Sequence, residues 1–131
     1  MLERNLCMPR KILLVDDSAT VLMMERMILA SERFQIVTAA NGEEAQERAR
    51  TELPDLILMD IVMPKVNGIQ ACQAIKRDPA TAHIPIILVT TRGEAASLEA
   101  GYSSGCNDYV TKPVNSAELL GKIRNILGGQ S

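Results

Sequence analysis

The chain has 131 residues, a formal net charge of −2 and an aromatic content of only 2%. This length suits a single domain with a proper core, and the charge creates no overall basic field that would attract nucleic acid or an acidic membrane surface. The scarcity of aromatic side chains argues against base-stacking platforms and predicts a core of Leu, Ile, Val, Met and Ala.

The N-terminal residues 1–9 carry no periodic pattern and no apolar signal-peptide segment, so we expect a frayed extension there. No apolar stretch approaches the roughly 20 residues that span a bilayer. Cys7, Cys72 and Cys106 lack metal-ligand spacing, and an odd number of cysteines fits a reduced cytoplasmic protein better than a disulfide scaffold. We therefore expect a cytoplasmic protein without membrane contacts, with one domain over 10–128 and a tail over 129–131.

The first half of the chain alternates short apolar runs with helical patterns. The order strand, helix, strand, helix is predicted over residues 11–15, 18–30, 34–39 and 41–51. Asp17 or Ser18 can cap the first helix and Asn41 the second, because short polar side chains accept hydrogen bonds from the first free backbone N–H groups of a helix.

The second half continues the alternation. Strands are predicted over residues 55–59, 85–90 and 107–110, and helices over 68–77, 93–104 and 116–127. Asn115 can cap the last helix, whereas Gly101, Ser103 and Ser104 weaken the helix at 93–104. The β-α alternation predicts an α/β fold in which a doubly wound parallel sheet of five strands has helices on both faces.

Asp60 stands inside the apolar run "DLILMDIVMPKVNG" of residues 55–68. An unpaired buried carboxylate costs several kcal/mol or gives up its charge, so Asp60 needs a cation, strong donors or solvent. Ligands of open parallel sheets bind beyond the carboxyl ends of the strands. The side chains predicted at those ends are Asp16, Asp17, Asp60, Thr90, Thr91 and Lys112. Such an oxygen-rich set, with three carboxylates that repel one another, suits Mg²⁺.

Four segments resemble the receiver domain of two-component response regulators, of the stand-alone chemotaxis type. The segments are "ILLVDDS", "PDLILMDIVMPKVNG", "PIILVTT" and "DYVTKP", in this order, and the resemblance covers about residues 10–127. It implies a flavodoxin-like sheet with the strand order 2-1-3-4-5.

The resemblance also implies how the acidic residues act. Asp60 is the nucleophile that becomes an acyl phosphate, with a phosphohistidine as the donor. Asp17, Asp60 and the backbone carbonyl group of Val62 ligate Mg²⁺ directly, and Asp16 acts mainly through water. Taken alone, Asp16 and Asp17 could merely cap a helix, which is a common role for aspartate.

The remaining implied roles concern charge neutralisation and switching. Lys112 and Mg²⁺ neutralise charge on the phosphoryl group, and Thr90 hydrogen-bonds one of its oxygens. Tyr109 swings inward when Thr90 moves, although strands favour tyrosine in any case. The resemblance further implies a cis bond between Lys112 and Pro113, and a phosphate lifetime set by Val62 and Arg92. His83, by contrast, is predicted to be a solvated surface residue.

The first helix is apolar on more than one face. Four of its residues follow the helical period and are predicted to face the sheet: Val21, Met24, Ile28 and Leu29. Leu22, Met23 and Met27 then point to solvent and form a candidate docking patch for a histidine-containing helical partner. The N-terminal extension or a second copy of the chain could cover this patch instead.

The function that the resemblance implies is a receiver that takes phosphate from a histidine kinase or histidine phosphotransfer protein and then binds an unidentified downstream protein. We expect a monomer or weak homodimer, no nucleic-acid binding and no turnover of an external substrate. One rival function is a phosphate sink for a histidine kinase, and another is an unphosphorylated scaffold. A metal-dependent small-molecule phosphatase would usually need a second acid two residues after the nucleophile, where Val62 stands.

Overall fold

The computed structural model describes residues 10–63, 66–91 and 105–128, which form five strands and four helices. The strands are β1 (Arg10–Val15), β2 (Phe34–Ala39), β3 (Leu56–Asp60), β4 (Ile86–Thr90) and β5 (Asp108–Thr111). The helices are α1 (Ala19–Leu29), α2 (Gly42–Glu52), α3 (Gly68–Arg77) and α4 (Ser116–Gly128). The extension predicted at 1–9, the helix predicted at 93–104, Arg92 and the tail at 129–131 lie outside the described residues.

All strand pairs are parallel, and the order across the sheet is β2-β1-β3-β4-β5. The predicted fold class and strand order are therefore confirmed. The strand predicted at 107–110 is shifted by one residue, since β5 begins at Asp108. Because all strands run in one direction, their carboxyl ends share one edge of the sheet.

Alternate residues of the strands fill two separate cores. In β1, Leu13 and Val15 belong to the core cluster that includes residues of α2 and α3, whereas Ile12 and Leu14 belong to the cluster that includes residues of α1 and α4. Both faces of the sheet are thus covered by helices, which accounts for the nearly continuous aliphatic runs in the sequence.

Polar caps define where the helices begin. Ser18, not Asp17, caps α1, since its Oγ accepts a hydrogen bond from the backbone N–H of Val21 at 3.3 Å. Asn41 and Asn115 accept hydrogen bonds at 2.9 Å in the first turns of α2 and α4, as predicted. Ser18 therefore caps the helix, whereas the Asp17 carboxylate is not used as the cap and belongs to the site at the strand ends.

The start of α3 lies against the end of β3. The backbone N–H of Gly68 donates to the carbonyl oxygen of Ile61 at 2.8 Å. A Cβ atom on residue 68 would collide with the carbonyl group of Asp60, so glycine permits this close approach. The start of α3 thereby packs directly against the backbone of Asp60 at the end of β3.

Other sequence predictions can be compared with the described part of the chain. His83 is exposed, as predicted, while Cys72 is buried and Cys106 is half-buried; Cys7 lies outside the described residues. Across residues 10–63, 66–91 and 105–128, no helix is both long and apolar enough to cross a membrane.

Candidate functional site

The carboxyl ends of the strands bring four predicted side chains together. Asp16 follows β1 directly, and its backbone N–H donates to the carbonyl oxygen of Ala39 at 3.1 Å. Lys112 follows β5, and its backbone N–H donates to the carbonyl oxygen of Thr90 at 2.7 Å. Asp60 and Thr90 are the last residues of β3 and β4. The sheet itself therefore sets the spacing of the site.

The site is an acidic cluster with a lysine ammonium beside it. One carboxylate oxygen from each of Asp16, Asp17 and Asp60 lies within 4.8 Å of the other two. The Nζ atom of Lys112 lies 3.3 Å from Oδ1 of Asp60 and 3.9 Å from Oδ2 of Asp16. Lys112 is thus the cation that Asp60 requires at the end of its apolar strand.

Burial disfavours the charged forms of two carboxylates in this cluster. Desolvation, and then the neighbouring charge of Asp16, raise the pKa of Asp60 to about 6, although Lys112 acts in the opposite direction. Desolvation also raises the pKa of Asp16, partly offset by a hydrogen bond from the backbone N–H of Ser18. One ammonium therefore does not compensate the carboxylates fully, and the cluster attracts further positive charge.

The acidic cluster fits a small divalent cation. The Oδ2 atom of Asp16 is buried and accepts no hydrogen bond from the described part of the chain. Asp17 is exposed, which leaves a path from solvent. Hard cations such as Mg²⁺ prefer several oxygen ligands and keep some of their water, and this half-open carboxylate set meets both conditions. The Val62 side chain at the rim is 58% exposed.

Thr90 is the last residue of β4, and Tyr109 lies within the neighbouring strand β5. Thr90 is 1% exposed, and its hydroxyl group donates to the carbonyl oxygen of Thr91 at 3.4 Å. Tyr109 is half-buried against the core cluster of α2 and α3, and the Nζ atom of Lys122 lies 5.5 Å from the centroid of its ring. The peptide bond between Lys112 and Pro113 is cis, which confirms that sequence prediction.

The predicted orientation of α1 is wrong for two residues, Met24 and Leu22. Met24 was expected to face the sheet, but its side chain is 54% exposed, whereas Glu25 is only 2% exposed. Leu22, expected at the surface, is half-buried and packs against the same core cluster as Leu29. Leu22, Glu25 and Leu29 are spaced i, i+3 and i+7 on the buried face, so this face is rotated toward Leu22 and away from Met24 relative to the prediction.

The docking patch is nevertheless exposed at two of its three residues. Met23 is 62% exposed and Met27 is 70% exposed. Beside them runs a shallow groove lined by Ala19, Leu22, Met23, Arg26 and Thr38. Met23 and Met27 are i,i+4 neighbours on the same face of α1, so they offer a continuous apolar surface beside the site.

Glu25 is a residue that sequence reasoning missed. Its Oε1 atom is buried and has no hydrogen-bond partner among the residues that the structure describes. Desolvation, and then the charges of Asp16 and Asp60, raise the pKa of Glu25 to about 8, although Lys112 acts in the opposite direction. The signal in the sequence was the i, i+3, i+7 spacing with Leu22 and Leu29, which places Glu25 on the buried face.

Comparisons with known proteins find related sequences over most of the chain. The family model of the response regulator receiver domain matches residues 12–124. Protein PilH of Pseudomonas aeruginosa is 41% identical over 119 residues, which cover 91% of this chain and 98% of PilH. The phosphate regulon transcriptional regulatory protein PhoB of Rhizobium meliloti is 36% identical over 89% of this chain but only 52% of PhoB. The chain thus spans about half the length of PhoB.

Solved structures of receiver proteins are similar in fold. The chemotaxis protein CheY4 of Vibrio cholerae superposes with a TM-score of 0.84 at 28% identity, over 91% of this chain and 99% of CheY4. The receiver domain of a sensor histidine kinase from Pseudomonas aeruginosa has a TM-score of 0.85 at 29% identity, over 92% of this chain and 99% of that domain. That domain has a magnesium ion coordinated in its active-site cleft.

Proposed function

The chain belongs to the response regulator receiver domain family, and from this premise we propose that Asp60 accepts a phosphoryl group from a phosphohistidine. The donor is a histidine kinase or a histidine phosphotransfer protein. The observation that carries the proposal is the Lys112 ammonium 3.3 Å from Asp60, within a cluster of three carboxylates. Phosphorylation then signals through binding of a downstream protein.

The proposed transfer is a displacement at phosphorus. A carboxylate oxygen of Asp60 forms a bond to phosphorus while the bond to the donor histidine nitrogen breaks, and the imidazole takes up a proton as it leaves. The Lys112 ammonium neutralises charge that builds up on the phosphoryl oxygens, and the Thr90 hydroxyl group donates a hydrogen bond to one of them. The product is an acyl phosphate on Asp60.

Mg²⁺ is the cofactor that we propose for the acidic cluster. Asp17, Asp60 and the backbone carbonyl group of Val62 would hold it, with Asp16 acting through water. When bound, the ion supplies positive charge that stabilises the phosphoryl oxygens during transfer. The buried Oδ2 atom of Asp16, which accepts no hydrogen bond within the described residues, and the proximity of the three carboxylates support this assignment.

Incubation with acetyl phosphate tests the proposed function directly. We expect intact mass spectrometry to show the addition of one phosphoryl group in the presence of Mg²⁺. No addition is expected when a chelator has removed the ion before the reaction. A phosphorylated histidine donor domain provides the second source of phosphate. A protein that gains no mass from either source, with Mg²⁺ present, would contradict the proposal.

Asp17→Asn is expected to weaken Mg²⁺ binding at least about tenfold, because it removes one anionic ligand from a site made of few protein ligands. Isothermal titration with Mg²⁺ measures the change. Asp55→Asn is the matched control, since Asp55 is exposed at the opposite end of β3 and accepts a backbone hydrogen bond from Lys11 that asparagine can also accept. Equal affinities for the Asp17 variant and the unsubstituted protein would exclude Asp17 as a ligand.

We propose that Thr90 and Tyr109 transmit the effect of phosphorylation to the surface that binds the downstream protein. The buried hydroxyl group of Thr90 moves toward the phosphoryl group, and the half-buried ring of Tyr109 follows it into the space that opens. This shifts a pre-existing equilibrium of the β4–β5 side of the domain, and the downstream protein binds one of the two states.

Docking of the histidine donor is proposed on Leu22, Met23 and Met27. The phosphohistidine must reach Asp60, so its protein must cover the surface that borders the acidic cluster. Met23 lies about 6 Å along the axis from the first residue of α1, which begins directly after this cluster. Exposed methionines next to a shallow groove suit an adaptable contact with another helix, and Leu22 forms the floor of that groove.

Met23→Glu should slow phosphorylation by the histidine donor about tenfold or more, because it places a charge in the centre of an apolar contact. Phosphorylation by acetyl phosphate should remain unchanged, since that donor needs no docking surface. Ala30→Glu is the matched control, because Ala30 is exposed at the C-terminal end of the same helix and does not line the groove. Equal loss with both donors would mean that the variant damages the site and that the docking assignment is wrong.

A further inference from the structure

Glu25 is a buried acidic side chain that the proposed chemistry does not use. It is 2% exposed, and its Oε1 atom accepts no hydrogen bond from any residue that the structure describes. A buried carboxyl group without a partner destabilises a protein, because it has lost its water without compensation. A second state in which Glu25 has a partner would relieve this cost.

Glu25 and Lys112 face one small cavity between α1 and the segment after β5. The cavity has a volume of about 100 Å³, which is more than one water molecule requires. Its other lining residues are apolar: Val21, Met24, Ile28, Pro113 and Val114. Within this lining, Lys112 is the one side chain that can donate hydrogen bonds to Glu25.

Lys112 is held loosely by its present partners. Its Nζ atom lies 3.3 Å from Asp60 and 3.9 Å from Asp16, and its side chain is 31% exposed. An ammonium on a four-carbon stem can rotate between neighbouring carboxylates without moving the backbone. Asp16 and Asp60 disfavour a charged Glu25, and Lys112 favours it, so the electrostatic interaction between Lys112 and Glu25 is attractive.

We propose that Glu25 is a positioning residue that offers the Lys112 ammonium a second carboxylate partner, so that the ammonium can leave Asp60 when a divalent cation binds. The inference rests on the proposed function, because it assumes the magnesium site. An ammonium and a dication on the same carboxylate repel each other, and a partner at Glu25 lowers the free energy of separating them. Lys112 returns toward Asp60 when a phosphoryl group brings new negative charge there.

A double-mutant cycle on Mg²⁺ affinity tests this relation. Glu25→Gln is expected to raise the Kd for Mg²⁺ about tenfold, within the range of coupled sites, because the ammonium then has no alternative to Asp60. Lys112→Met is expected to lower the Kd, because no ammonium competes with the ion. In the Lys112→Met background, Glu25→Gln should change the Kd by less than about twofold. Isothermal titration with magnesium alone gives all four values without any phosphorylation step.

NMR of the Lys112 side-chain nitrogen gives a readout that needs no metal. In Asp60→Asn the ammonium loses its nearest anionic partner, so we expect its signal to shift and to respond strongly to Glu25→Gln. In the otherwise unsubstituted protein the same Glu25 variant should barely change the signal. Thermal unfolding checks that each variant is folded, and Glu25→Met, of similar volume, replaces Glu25→Gln if the latter is not.

The outcomes separate the inference from the function on which it rests. A protein that binds no Mg²⁺ at all would overturn the magnesium assignment and this inference with it. Normal Mg²⁺ binding, with equal effects of Glu25→Gln in both Lys112 backgrounds, would overturn the inference alone, because Glu25 would then act as a distant charge or as part of the fold. A Lys112 signal that never responds to Glu25 would overturn it as well.

Discussion

Asp60→Asn should abolish phosphoryl incorporation from both acetyl phosphate and a phosphohistidine donor. The amide keeps the shape of the side chain but has no anionic oxygen that can attack phosphorus. The fold should remain intact or gain stability, because burial and the charge of Asp16 already raise the pKa of Asp60 to about 6. A neutral group at position 60 relieves that repulsion. Intact mass spectrometry after incubation with Mg²⁺ measures incorporation, and thermal unfolding measures stability.

Asp55→Asn is the control for this substitution, since it makes the same chemical change in the same segment. Its side chain is exposed and contacts the backbone of Lys11, at the end of β3 opposite Asp60. Phosphoryl incorporation should therefore be normal in this variant. Full incorporation in the Asp60 variant would show that another residue carries the phosphate, and the assignment of the nucleophile would be wrong.

The fold could be predicted because local and global signals agree. Each strand is a short apolar run, and Ser18, Asn41 and Asn115 mark helix starts with side chains whose bonding is local. The parallel order then forces the ends of β1, β3, β4 and β5 onto one edge. Asp60 could be singled out from the sequence because a carboxylate within an apolar strand demands a partner, and the same edge supplies Lys112.

The rotation of α1 could not be predicted in the same way. The helix has apolar residues on several faces, so its hydrophobic pattern fits more than one orientation against the sheet. Only packing against both the sheet and α4 decides between them, and it leaves Met24 in solvent while Glu25 is buried. The rule that charged residues avoid the core would bury Met24 and expose Glu25. It fails here because a buried glutamate can be accommodated where a polar group lies beside it.

The strand-end site provides that polar neighbour for Glu25. Lys112 reaches along the cavity between α1 and the segment after β5, so the interior at this point is not purely apolar. The same arrangement brings Glu25 under the influence of Asp16 and Asp60, whose charges raise its pKa. Asp16, Glu25 and Asp60 thus share one nearby lysine in the described site, and the protonation of Glu25 affects the stability of the domain.

Glu25→Gln should make the free energy of unfolding less sensitive to pH. Burial raises the pKa of Glu25 from 4.5 to about 8 in the folded protein, so the folded state keeps a proton that the unfolded state releases between these values. Stability of the unsubstituted protein therefore falls as pH rises from about 5 to 8. Glutamine does not titrate, so the variant should be more stable than the unsubstituted protein by about 2–5 kcal/mol at pH 8, with a much smaller difference near pH 5.

Urea unfolding at pH 5, 6.5 and 8 measures this difference without Mg²⁺, and Asp16 and Asp60 are present in both proteins. Glu47→Gln is the matched control, because Glu47 is an exposed glutamate on α2; its stability difference from the unsubstituted protein should not change with pH. A Glu25→Gln difference that is constant from pH 5 to 8 would mean that Glu25 ionises alike in the folded and unfolded states. A difference that grows with pH would instead establish that the fold holds Glu25 in a neutral form without Mg²⁺, and an approaching cation such as the Lys112 ammonium favours its carboxylate form.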